Sequence, residues 1–171
     1  ATWCVCQSAI TREWLVPGYN AERHLVQLYR WEPIVTGGKQ VLKATTGLPH
    51  GLFMPAEHYD PKRKECWIAE GCWDGMALWE LDQNRNVVAV PGCTTFAESW
   101  LPLFAGKIVT LLYDNDHPRE VKGKVIPGAG AAGMRRAAGV LAGARPPCKD
   151  IRWLRWGEAG HDPELPSGYD V

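Results

Sequence analysis

Residues 65–90 read ECWIAEGCWDGMALWELDQNRNVVAV. The opening run is short, apolar and stops on Glu70, and the closing run NVVAV is apolar again, so each reads as a short buried strand. Between them WDGMALWELD puts apolar side chains at Met76, Leu78, Trp79 and Leu81, the spacing of one helix face. Strand, helix and strand follow one another with almost no linker, the pattern of a parallel crossover unit.

The pattern continues downstream. TTFAESWLPLF (94–104) is helical by period, with Thr94 or Thr95 as N-cap and Pro102 near its end. KIVTLLYD (107–114) is a third strand, GAAGMRRAAGVLAGA (130–144) a helix stopped by Gly143 and Pro146, and DIRWLRW (150–156) a fourth strand. Continuous apolar strands alternating with helices predict an α/β fold, a parallel sheet with helices on both faces. Such sheets carry their chemistry at the carboxyl ends of the strands, where Glu70, Gly92 and the pair Asp114/Asp116 fall.

Upstream the chain is less regular. HLVQLYRW (24–31) is an extended candidate, and Pro17-Gly18, Gly37-Gly38 and Pro49-His50-Gly51 are turn signals. The expected division is a small mixed α/β amino-terminal subdomain over 1–62 and the main sheet over 63–171.

Composition excludes several classes. Hydrophobic residues at 46%, with nine Trp, 18 Gly and 13 Pro, describe a folded, loop-rich protein. No apolar run approaches the roughly 20 residues that span a bilayer, and no basic-then-apolar leader opens the chain, which reads as soluble. Zero formal net charge excludes a global attraction to nucleic acid, so such binding has to rest on local patches. Six cysteines in one Cys-x-Cys pair and four scattered positions read as small buried thiols in a reducing compartment; Cys4 and Cys6 could ligate a metal only with partners from elsewhere. The first residue, Ala1, and the ending SGYDV read as the bounds of a piece of something larger.

Asp114 and Asp116 are two apart, so an extended chain past Tyr113 projects both to one side. Two carboxylates about 5 Å apart at an effective dielectric near 20 repel by roughly 3 kcal/mol. Either one takes up a proton or a divalent cation sits between them, and hard oxygen donors favour Mg2+ or Mn2+. The bland alternative is a turn cap. If the first and third strands are neighbours, Glu70 joins the pair at one rim, with Gly71 allowing a tight turn and Asp74 in the first helical turn. The letters GAGAAG (128–133) fit a dinucleotide fingerprint but lie too far from a strand, and read better as a helix packed closely on the sheet.

At EGCWDGMALWE and LLYDNDH the chain resembles the Toprim domain shared by primases, topoisomerases and some nucleases. Glu70-Gly71, Gly92 and Asp114-x-Asp116 match its motifs in order and spacing. Asp74 extends the match to bacterial and phage primases. LVQLYRW, ending in Arg30-Trp31, resembles their segment before the Toprim core, LKATTGLPHGLF with Lys43 their lysine-bearing stretch, and PPCKDIRWL their lysine-aspartate segment. The resemblance runs over about 24–171 and is strongest for 65–142.

It implies a primase catalytic core that joins ribonucleoside triphosphates into RNA primers on single-stranded DNA, in the cytoplasm of a bacterial cell or phage-infected host, alongside a replicative helicase. Asp114, Asp116 and Asp74 hold Mg2+ or Mn2+, and Glu70 either completes that site or is the general base. Arg30 and Lys43 contact triphosphate or template; Lys39 is added from its neighbours Gly37-Gly38, and Gly71 and Gly92 as glycines of the rim. A Toprim nuclease and a non-catalytic nucleic-acid-binding module are the alternatives. A topoisomerase needs a tyrosine on an additional domain, and a haloacid-type phosphatase a threonine or valine where this chain has Pro118.

One departure stands out. Relatives place a glycine and a helix directly after D-x-D, whereas this chain inserts HPREVKGKVIPGAG. Residues 117–136 carry Arg119, Lys122, Lys124, Arg135 and Arg136 against Glu120 alone. That basic stretch reads as a solvated loop or as a patch tracking the backbone of template or product, through Lys122 and Lys124 above all.

Overall fold

A computed structural model describes residues 3–31, 42–157 and 161–169. The amino-terminal part holds an antiparallel sheet of β1 (Cys6–Gln7), β2 (Trp14–Tyr19), β3 (Leu25–Trp31) and β4 (Leu42–Ala44), in that order. It is more regular than its sequence suggests. Pro17 and Gly18 lie inside β2, buried, rather than in a turn. β1 pairs only as far as Trp14 and Leu15, so the missing Pro17 N–H faces no partner strand. Gly18 is required because residue 51 crosses against its backbone, and a Cβ there would meet Tyr29 and Gly51.

The main sheet is parallel, as expected. It comprises β5 (Glu65–Glu70), β6 (Asn86–Val90), β7 (Ile108–Leu112) and β10 (Asp150–Trp153), in the order β10-β7-β5-β6. α1 (Cys72–Leu81) connects β5 to β6, and α2 (Ala129–Leu141) precedes β10. The strands alternate between two cores. Ala69, Val87 and Ala89 face α1 and the amino-terminal sheet, packing with Val16, Tyr29, Phe53 and Trp79. Cys66, Ile68, Val88, Val109 and Leu111 face the other way, onto Trp100, Phe104, Met134 and Leu141.

The two sheets are stitched by one crossing segment. Leu52 bridges Tyr19 of β2, and Phe53 bridges Ala89 at the β6 edge. The expected boundary at 62 therefore falls within a chain whose two parts share a core.

Three expectations change. The 94–104 segment forms a short 3-10 helix, Glu98–Leu103, instead of an α-helix from Thr94 or Thr95. Pro102 inside it cannot donate, Ala97 holds the N-cap position, and the Thr95 hydroxyl instead donates to the Gly92 carbonyl at 2.7 Å. DIRWLRW pairs only through Trp153. The inserted basic stretch is a hairpin, β8 (Arg119–Val121) and β9 (Lys124–Ile126), turning on Lys122 and Gly123, both at positive φ. No helix among the described residues is long and apolar enough to cross a membrane.

Candidate active site

β5 and β7 are neighbours, with Ala69 opposite Leu112. Glu70 ends β5 on the same rim from which Tyr113, Asp114, Asn115 and Asp116 leave β7. The glycine after Glu70 allows the turn: Gly71 has φ 89°, gives its N–H to the Val90 carbonyl at 2.9 Å, and is the N-cap of α1. Asp74 lies in the first turn of that helix, its carboxylate close to Gly71. Gly92 stands beyond the end of β6, and a side chain there would meet open space.

The acids converge in their electrostatics as well as in topology. Burial first, and the Asp116 charge second, push the Glu70 carboxyl up to about 7, with a smaller contribution from Asp74. One Glu70 oxygen accepts the Cys93 N–H at 3.1 Å, while Oε2 is buried with no hydrogen-bond partner among the described residues. Burial followed by Glu70 pushes the Cys93 thiol up to about 11, and the same two causes raise the Tyr113 hydroxyl.

The chain does not remain extended past Tyr113. The Asp116 N–H donates to the Asp114 carbonyl at 3.0 Å, a tight turn that re-aims Asp116. Its Oδ2 accepts the Gly130 N–H at 2.8 Å, in the first turn of α2. Like charges at this rim are thus tolerated by a raised Glu70 and by a helix amino terminus that takes Asp116, a remedy beyond protonation or a cation. GAGAAG acts as close packing: Cβ atoms at Gly128, Gly130 and Gly133 would collide with the backbones of Asp116, Asp114 and Cys93.

Arg30 and Lys43 face each other across β3 and β4, on the exposed side of the amino-terminal sheet. Arg30 lies 3.7 Å from Glu13. The next residue, Trp31, meets Trp73 edge-on at 5.3 Å, which ties this sheet to the start of α1 beside Asp74. Lys39 lies outside the described residues. Lys122 and Lys124 are exposed at the hairpin tip, and Arg119 at its base. Site residues that sequence reasoning missed are Cys93 and Gly130, whose N–H groups donate to Glu70 and Asp116, and Asn115, buried between Asp114 and Asp116 in the chain. Only a structure shows that their backbones arrive there.

Carboxylate oxygens are the donors that Mg2+ and Mn2+ take, and the unpartnered Glu70 Oε2 leaves one of them available. Among the described residues no three His, Cys, Asp or Glu close around a single point, Cys4 and Cys6 included. The set therefore fits an ion held by one or two carboxylates that keeps much of its water, the usual habit of Mg2+, and not an all-protein cage. A cavity of about 710 Å³ lies elsewhere, between α2 and β10, with none of the acids in its lining.

No family model matches the sequence, and no curated protein matches it. Solved structures do. The primase fragment of the bacteriophage T7 primase-helicase superposes with a TM-score of 0.57 at 16% identity, over 88% of this chain and 55% of that one. A DnaG catalytic core gives 0.60 at 19% identity, over 92% and 46%. A DnaG primase catalytic domain bound to single-stranded DNA gives 0.58 at 17%, over 97% and 51%. The fold is that of primase catalytic cores. The chain spans about half the length of these structures, so the likeness covers the Toprim-type sheet and the part before it.

Proposed function

We propose that the chain is the catalytic core of a DNA primase, making RNA primers from ribonucleoside triphosphates on single-stranded DNA with Mg2+ or Mn2+. The observation that supports this most is the adjacency of β5 and β7, which gathers Glu70, Asp114 and Asp116 at one rim in the fold of primase cores. A structural neighbour bound to single-stranded DNA, and another that is the primase fragment of a primase-helicase, favour a DNA template and a helicase partner.

Asp114, Asp116 and Asp74 would supply the one or two carboxylates that hold the ion, with water in its remaining positions. Bound there, it supplies neutralisation of charge on the attacking and leaving oxygens of an in-line displacement at the α-phosphate. Glu70, with its raised carboxyl, completes the ion's shell or takes the proton of the attacking 3′-hydroxyl. Arg30 and Lys43 place two positive charges side by side for the triphosphate or template. Gly92 leaves room beside the rim.

The test is primer synthesis on a single-stranded template with labelled ribonucleotides and Mn2+, comparing the wild type with Asp114→Asn and Glu70→Gln. Both substitutions should abolish synthesis, and undiminished synthesis in both overturns the reading. Labelled DNA in the same buffer separates a nuclease, which would shorten it.

A further inference from the structure

We infer that residues Trp156 and Asp162–Tyr169 form a strap that positions Asp114 and Asp116, with Asn115 as its anchor. Asn115 is fully buried, yet all its polar groups are used, and among the described residues the strap alone uses them. Its N–H donates to the Tyr169 carbonyl at 2.9 Å, and its carbonyl accepts the Gly168 N–H at 2.9 Å. Its side-chain nitrogen donates to the Asp162 carbonyl at 2.9 Å, and its side-chain oxygen accepts the Asp162 N–H at 2.7 Å.

The flanking odd-numbered residues are held by the same segment. The indole N–H of Trp156 donates to the Tyr113 carbonyl at 2.7 Å, and the ring meets Tyr169 edge-on at 6.2 Å. The His117 N–H donates to Ser167 Oγ at 2.9 Å. His117 Nε2 lies 3.0 Å from the Asp162 carbonyl, which can only accept, so that nitrogen carries the proton.

Residues 113, 115 and 117 are thus gripped in turn, with the two acids between them. Separately, Gly130 of α2 and its N-cap Gly128 pack on the Asp114 and Asp116 backbones, and the Gly130 N–H takes Asp116 Oδ2. The acidic turn is held by both α2 and the strap. A tight i→i+2 turn of two like-charged residues has little local reason to hold one shape. The strap supplies that reason, and pre-set carboxylates spend less ordering entropy on meeting an ion.

Asn115 and the strap are positioning elements, and the inference rests on the reading of Asp114 and Asp116 as ion-binding residues. The experiment measures Mn2+ affinity by calorimetry, thermal stability and primer synthesis on the whole chain, for the wild type, Asn115→Ala and Trp156→Phe. The second substitution keeps a ring and removes one bond, so it serves if Asn115→Ala does not fold. Expected for Asn115→Ala is a tenfold or larger loss of Mn2+ affinity, with half-maximal synthesis displaced to higher Mn2+ and single-stranded DNA affinity unchanged. Trp156→Phe should show the same pattern at about threefold. A folded variant that binds Mn2+ as the wild type does overturns the strap alone. A wild type that binds no Mn2+ overturns the proposed function, and the inference with it.

Discussion

Glu70 ends β5 and Asp116 lies beyond the end of β7, yet the two are near enough that the Asp116 charge adds to burial, the larger cause, in bringing the Glu70 carboxyl up to about 7. The folded state therefore holds the Glu70 proton at pH values where the unfolded chain has lost it. A carboxyl raised in the fold stabilises below its ordinary value, near 4.5, and that contribution drains away as pH rises through about 7. The amount is of order 3 kcal/mol. Urea unfolding at pH 5 and pH 8 should show the wild type losing more stability over that interval than Glu70→Gln, with the variant the more stable at pH 8. Equal losses would place the carboxyl in the ordinary range.

Asp116 has one role seen in the structure and one proposed for it, and substitution can part them. As a cap it needs only an oxygen toward the Gly130 N–H, which asparagine supplies. As an ion ligand it needs its charge. On the proposed function Mn2+ should raise the melting temperature of the wild type; Asp116→Asn should keep its stability within about 1 kcal/mol, lose that Mn2+ effect, and make primers about 100-fold more slowly or worse. Asp116→Ala should show the same losses and give up about 1 kcal/mol of stability besides. Melting curves with and without Mn2+ check both, and retained Mn2+ stabilisation in Asp116→Asn would leave the capping role by itself.

The glycines of α2 differ in what they face. A Cβ on Gly130 would run into the Asp114 carbonyl, and nothing flexible is there to give way. Gly139 sits exposed on the same helix with open space around it. Gly130→Ala should cost 2 kcal/mol or more, by about the price of moving the acidic turn, and weaken Mn2+ binding with it. Gly139→Ala should stabilise by about 0.5–1 kcal/mol. Denaturant midpoints of the two variants decide it.

That contrast shows where the sequence is readable. The parallel sheet was legible because each buried strand is a continuous apolar run between helical periods, and the rim because Glu70, Gly92 and Asp114-x-Asp116 all fall at strand ends. GAGAAG was legible as packing but not as packing against the acids themselves, since that depends on how α2 returns to the sheet. The amino-terminal sheet was hidden because Pro17-Gly18 reads as a turn until residue 51 is seen to cross it. Asn115 was hidden for the opposite reason: an asparagine between two aspartates has the composition of a loop, and its partners lie more than forty residues away.

The hairpin after the acids offers the last test. Lys122 and Gly123 both adopt positive φ, the geometry of a two-residue turn that matches strand twist, so the insertion is a defined ribbon. Along it Arg119 and Val121 stand opposite Ile126 and Lys124, which puts two cations and two β-branched side chains on one face, while Lys122 occupies the tip. A ribbon of that charge starting directly beyond Asp116 is placed to follow a phosphate backbone leaving the acidic rim. Each phosphate contact on a single strand contributes about 0.7 to the slope of log affinity against log salt. Lys122→Asn, chosen because asparagine tolerates the left-handed backbone, combined with Lys124→Gln should lower that slope by about 1.4. Stability and Mn2+ binding should be unchanged, since neither lysine contacts the acids' clamp. Fluorescence titration of labelled single-stranded DNA between 50 and about 200 mM salt measures the slope. An unaltered slope would return the hairpin to the status of a solvated ornament and leave Arg30 and Lys43 as the next pair to substitute in the same titration.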